Sequence, residues 1–153
     1  MAETSAPLPA TGMPTASKAL CTAYAAISVA AFVAYWSQGV AYFDRPASFV
    51  SALLDDTKIT PASRAVTVEV LFIFLAAAVL MVLEARKHRI GFVWLYILGG
   101  AVVAISVTFP LFLIAREYRL AKTAPSRLGM ADTLALAALA SATAALAIWV
   151  DAG

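Results

Sequence analysis

The sequence predicts an all-α integral membrane protein, a four-helix bundle with a short amphipathic helix lying at the interface between helices one and two. Three observations predict it. Hydrophobic residues make up 63% of the 153 residues and charged residues only 13%, whereas a soluble domain carries roughly 25% charge. Four apolar segments reach the ~20 residues that a helix needs to cross a hydrocarbon core about 30 Å thick. The charges gather between those segments, in Asp44–Arg64, Glu84–Arg89 and Arg116–Arg127, and only Glu69 sits well inside one.

The elements follow in order. Residues 1–17 are rich in Ala, Pro, Thr and Ser, with Glu3 the only charge. No basic residue precedes Lys18, so a secretory signal is not expected; the composition predicts a disordered tail before a single domain over 18–153. Helix one spans Ala19–Phe43 and ends in Tyr35, Trp36, Gln38, Tyr42 and Phe43, aromatic and polar residues suited to a membrane interface. Asp44-Arg45-Pro46 pairs a capping residue with proline. Phe49, Val50, Leu53 and Leu54 then share one face, so a short interfacial helix is expected there. Thr60-Pro61 opens helix two, Ala62–Leu83, by the same logic. A tight turn through Ala85-Arg86-Lys87-His88-Arg89 makes helices two and three antiparallel neighbours. Helix three, Ile90–Ala115, holds Gly99-Gly100 near its middle and Pro110 near its end. Small residues allow close backbone approach in lipid, and the proline predicts a kink. Helix four, Met130–Val150, repeats alanine at Ala135, Ala138, Ala142 and Ala145. Gly99, Gly100, Pro110, Ala138 and Ala142 are therefore the expected helix-packing positions, on a surface suited to a neighbouring chain.

A net charge of only +2 gives no reason to expect nucleic acid as a partner. The single cysteine, Cys21, excludes an internal disulfide and a cysteine metal cluster; it reads as a small apolar residue of helix one. His88, the only histidine, reads as a solvated turn residue among three cations. There is no phosphate loop, no paired histidines and no Gly-x-Ser-x-Gly, so no metal and no cofactor is expected.

Glu69 is the residue that breaks lipid logic, because a carboxylate at a helix centre costs about 2.5–3.5 kcal/mol on insertion scales. Four crossings place Gln38, Asp44, Glu69, Arg116 and Glu117 at one end of the bundle. Arg116, beyond the Pro110 kink, is expected to reach back and pair with Glu69 in the bundle interior. The same four crossings put both chain ends and the Glu84–Arg89 turn on one side. Lys18, Arg86, Lys87 and Arg89 then lie on that side, against Arg45, Lys58, Arg64, Arg116, Arg119, Lys122 and Arg127 on the other. Counted by the positive-inside rule, this favours external chain ends.

From Tyr24 to about Ala121 the chain resembles an uncharacterised bacterial family of small membrane proteins, known as a domain of unknown function. Three motifs carry the resemblance. Glu69-Val70-Leu71-Phe72-Ile73-Phe74 stands where the family has an acidic residue, usually Asp. Glu84-Ala85-Arg86-Lys87 matches its acidic-basic turn, with aromatics following at Trp94-Leu95-Tyr96. Pro110-Leu111-Phe112-Leu113, then Arg116-Glu117, matches its closing motif. The resemblance implies a bacterial membrane protein and supplies no activity; with four crossings, the expected location is the bacterial inner membrane, as a multi-pass protein.

The function expected is a non-catalytic accessory or scaffold subunit of a larger membrane assembly, such as a lipid or solute transport complex, with membrane lipids and other membrane chains as partners. The small size and the small-residue faces support it. The alternative is a small membrane enzyme acting on a lipid or isoprenoid, with Glu69 as general acid or base and Arg116 setting its pKa. A proton-coupled carrier is a third reading, disfavoured because no broken helix or inverted repeat is visible.

Overall fold

The computed structural model describes residues 13–44, 48–121 and 128–152. Among them every regular element is helical: α1 Thr15–Gly39 with a 3-10 turn Val40–Tyr42, α2 Phe49–Asp56, α3 Pro61–His88, α4 Val93–Gly99, a π-helical turn Gly100–Ala104, α5 Ile105–Leu120 and α6 Met130–Asp151. Four segments, Thr15–Tyr42, Pro61–His88, Val93–Leu120 and Met130–Asp151, are long and apolar enough to cross a membrane. This is the expected all-α membrane bundle, with α2 in its expected place between the first two. Helix α1 already begins at Thr15, inside the stretch read as tail, and residues 1–12 of that tail lie outside the described residues. So do Arg45 and Pro46, and α2 opens at Ser48 rather than Asp44.

Local chemistry sets the ends of α3. The Ser63 amide donates to Thr60 Oγ1 at 3.0 Å and the Thr60 amide donates to Ser63 Oγ at 3.1 Å, with Pro61 in the first turn. Two amides without helical partners are satisfied this way. At the other end Arg89 is left-handed (φ 52°), and the Ile90 amide donates to the Ala85 carbonyl at 2.9 Å. That closes the helix with a residue other than glycine in the left-handed position. Arg86, Lys87 and His88 fill the last turn, where the helix dipole favours cations.

The third apolar segment does not run straight across. Tyr96 and Phe112, sixteen positions apart, have ring centroids 5.7 Å from each other; a straight helix would separate them by roughly 24 Å. A Cβ on Gly100 would lie 2.9 Å from Thr108 Oγ1. Helix α4 and the π turn therefore enter the bundle, Ala104 takes an extended conformation (φ 174°, ψ 142°), and α5 runs back beside them. Each arm is shorter than the ~20 residues of a full crossing. The hairpin tip lies beside Phe74, midway along α3, and beside Ser28, midway along α1.

A core grows around the hairpin. Met81 and Ala85 of α3 pack with Ile97 and Phe112 from its two arms. Helix α1 lies along α5, the most extensive contact between any two helices. Its Ser28 hydroxyl donates to the Val107 carbonyl at 2.7 Å, in a buried position. Pro110 lies within α5 and is buried, and the reversal comes six residues before it. The expected proline kink is thus corrected to a break at Ala104, which Gly99 and Gly100 permit by leaving room for Thr108.

The reversal changes the topology. The end of the bundle at the Arg89–Phe92 turn (the turn end) receives the start of α1, the end of α3 and the end of α5. The opposite end (the α2 end) receives the end of α1 and the end of α6, where Gln38 donates to the Asp151 carboxylate. Helices α1 and α6 thus run parallel, so α1 starts at one face and α6 ends at the other, which corrects the expectation that both chain ends share a side.

Gly100→Ala should be destabilising by about 1–3 kcal/mol, the usual cost of overpacking, because the added methyl meets Thr108, Ile105 and Phe74 within 2.9–3.2 Å. Thermal unfolding in detergent measures it. Cysteines placed at Tyr96 and Phe112, with Cys21→Ala, should be joined within one chain by a short bifunctional reagent. A straight third helix would leave them unjoined.

Candidate functional site

The hairpin carries Arg116 and Glu117 back to the turn end, and there they meet α3. Arg116 Nε donates to Glu84 Oε2, Arg116 Nη1 lies 3.6 Å from Glu117 Oε1, and His88 Nε2 lies 3.4 Å from Glu84 Oε2. Glu117 is 1% exposed. Taking these charges out of water is costly, and removing one member leaves the others uncompensated. Helix α1 adds a polar edge of Ser17, Cys21, Tyr24 and Ser28, spaced to lie on one face toward α5. Cys21 and Tyr24 lie within electrostatic range of Glu117.

The cluster differs from the one the sequence predicts. Arg116 and Glu117 are together, but Arg116 pairs with Glu84 and not with Glu69. Glu69 is exposed. It precedes Ala78, which packs on the core, by nine residues, so it points to the opposite face of α3. Gln38 bonds Asp151 at the far end of the bundle, and Asp44 is exposed there. The five residues do not form one site. His88, read from the sequence as a solvated turn residue, is half-buried against Glu84. No signal in the sequence could have paired Glu84 with Arg116, because a continuous third helix puts them at opposite ends.

The packing positions also divide. Gly99 and Gly100 serve contacts inside this chain, which corrects their expected place on a surface for neighbouring chains, and Pro110 is buried in α5. Ala138 and Ala142 are exposed on α6. Helix α6 buries none of its residues. Between it and α1 runs a cleft of about 970 Å³, walled by Ala19, Ala23, Tyr24, Ala140 and Ala144 and touched by Ser106 of α5. Neither Glu69 nor any other acidic residue lines it. Among the described residues no group of three or more His, Cys, Asp and Glu side chains is placed to hold a metal.

A family model described as a protein of unknown function, DUF2834, matches residues 23–118. The chain belongs to this family. The match runs from the third turn of α1 to the last turn of α5, so it contains the hairpin, its α3 wall, most of its α1 wall and the Arg116 cluster, and leaves α6 outside. No curated protein and no solved structure matches the chain.

A double-mutant cycle separates the two pairings. Arg116→Leu and Glu84→Gln should be coupled by roughly 0.5–3 kcal/mol in detergent stability, as contacting residues are. Arg116→Leu and Glu69→Gln should be additive. Coupling at Glu69 and none at Glu84 would restore the pairing expected from the sequence.

Proposed function

We propose that the protein is a non-catalytic accessory or scaffold subunit of a larger assembly in the bacterial inner membrane, such as a lipid or solute transport complex. The observation that carries this reading is the outward position of Glu69. It lies eight residues into α3, roughly 12 Å along the helix. Its neighbours Val66, Val68, Val70, Leu71, Phe72 and Ile73 are exposed apolar residues. Among the described residues it has no ion pair. An ionisable side chain at this depth facing acyl chains is expensive, and such groups normally face protein or water. A neighbouring transmembrane helix that brings a cation or a hydrogen-bond donor to Glu69 removes the expense. Helix α6, which lies outside the family match and buries nothing, offers further uncovered surface.

The alternative reading, a membrane enzyme with Glu69 as acid or base, needs a cavity at that carboxylate. The α1–α6 cleft does not have Glu69 among its lining residues.

Glu69→Leu should release the chains that co-purify with the protein, as counted by native mass spectrometry, while leaving the thermal stability of the isolated chain unchanged or higher. A photo-crosslinking residue at Ile73, one turn away on the same face, should trap the same partner. Retention of every partner by Glu69→Leu would defeat the reading. A Glu69→Gln variant that folds and keeps its partners yet loses all biological output would favour the enzyme.

A further inference from the structure

The reversal at Ala104 redistributes the charges. Among the described residues, the turn end holds Lys18, Arg86, Lys87, Arg89, Arg116 and Arg119, and the α2 end holds Lys58 and Arg64. The acids divide the other way, with Asp44, Asp55, Asp56 and Asp151 at the α2 end. At the turn end Glu84 and Glu117 are drawn in against Arg116, and the one exposed acid there among the described residues, Asp132 at the start of α6, is outnumbered by the exposed Lys18, Arg86, Lys87, Arg89 and Arg119. Basic residues flanking membrane helices collect on the cytoplasmic side. The count made for four straight crossings favoured the opposite orientation, because it placed Arg116 and Arg119 with the α2 end.

The turn itself has an unusual build. Arg89 and Phe92 both have left-handed backbones, at φ 52° and φ 57°. For a bulky aromatic residue that region is an outlier, sustained only where something outweighs the strain. Packing within this chain does not supply it, since Phe92 is 86% exposed. Trp94 and Leu95, one turn on, are 63% and 70% exposed. Two aromatic rings thus project beside Arg86, Lys87 and Arg89 at the level where a helix leaves the membrane. Aromatic rings favour the headgroup region, and basic clusters there attract anionic lipids.

We propose that the Arg86–Trp94 turn sits at the cytoplasmic surface and binds the headgroups of anionic phospholipids. Arg86, Lys87 and Arg89 meet the phosphates, and Phe92 and Trp94 seat between the lipids at the acyl boundary. Removing the Phe92 ring from water offsets the strain of its backbone. Net positive charge, the paired rings and the left-handed turn that turns them outward all favour a lipid surface over an acidic protein.

The test uses the full chain extracted from vesicles of phosphatidylcholine and phosphatidylglycerol in equal amounts, with retained lipids counted by native mass spectrometry. Phosphatidylglycerol should be retained several-fold over phosphatidylcholine. Each basic residue near such a surface is worth about fivefold in binding, so Arg86→Gln, Lys87→Gln and Arg89→Gln together should abolish the preference. Phe92→Gly distinguishes lipid contact from a structural role: it relieves the left-handed strain and should raise the melting temperature in detergent while lowering lipid retention. A cysteine at Gly91, where an added Cβ meets nothing within 4 Å, should be labelled in the Cys21→Ala background by an impermeant maleimide from the cytoplasmic side alone. Equal retention of the two lipids, an undiminished preference in the triple variant, unchanged retention in Phe92→Gly, or labelling from the outer side would each overturn the proposal.

Discussion

The backbone break at Ala104 sets the terms for the rest of the bundle. A helix satisfies its own amides and carbonyls, so lipid can surround it; a chain reversal cannot, and it survives at membrane depth only where protein covers it. The cover comes from both sides. Phe74 of α3 closes on Gly100, and Ser28 of α1 supplies a hydroxyl to the Val107 carbonyl. Gly100 has no side chain because Thr108 occupies that space from the returning arm. The extensive α1–α5 contact follows from the same need, since a half-crossing helix has no length of its own with which to anchor in both leaflets.

The base of the hairpin needs a different fastening. Near the headgroups water competes for backbone hydrogen bonds, and the apolar packing of Ala85, Ile90 and Val93 is joined there by charge. Here Arg116 binds Glu84 of α3 and lies against Glu117, with His88 approaching the same Glu84 oxygen. Such a cluster contributes little net stability when compared with apolar residues of the same shape, but it penalises any arrangement that separates its members. Its consequence is register: α5 cannot slide along α3 without stranding a buried carboxylate. The tip is thus fixed by close packing, and the base by packing and charge together.

The helical class, the four apolar segments, the Thr60-Pro61 start of α3 and the short α2 were all legible, because each depends on composition or on residues close in sequence. The reversal was not. Hydropathy measures how much apolar chain there is and carries no sign of direction, so Val93–Leu120 reads as one crossing. Gly99-Gly100 announced close approach correctly, but a sequence does not say whether the approaching chain is another helix or the same one eight residues later. Every misplacement at the candidate site descends from that one step. A straight third helix puts Arg116 at the α2 end, offers it to Glu69 as a partner, keeps it from Glu84 and His88, and divides the basic residues differently between the two sides. Glu69 itself was recognised as anomalous from the cost of charge in lipid, although the side it faces depends on which face of α3 the hairpin occupies.

Inside the bundle Ser28 holds a carbonyl and Arg116 lies among the surrounding carboxylates. Two other features point outward. Glu69 lies among exposed apolar residues on the back of α3, while Phe92, Trp94 and the cations of the turn project at the other end. Both lie within the span matched by the family, on the α3–hairpin unit rather than on α6. A re-entrant hairpin accounts for the pairing of these features. By filling one side of α3 with the chain's own returning arm, it turns Glu69 away from the core, and by returning to the turn end it gathers there the positive charge that a fourth crossing would have divided.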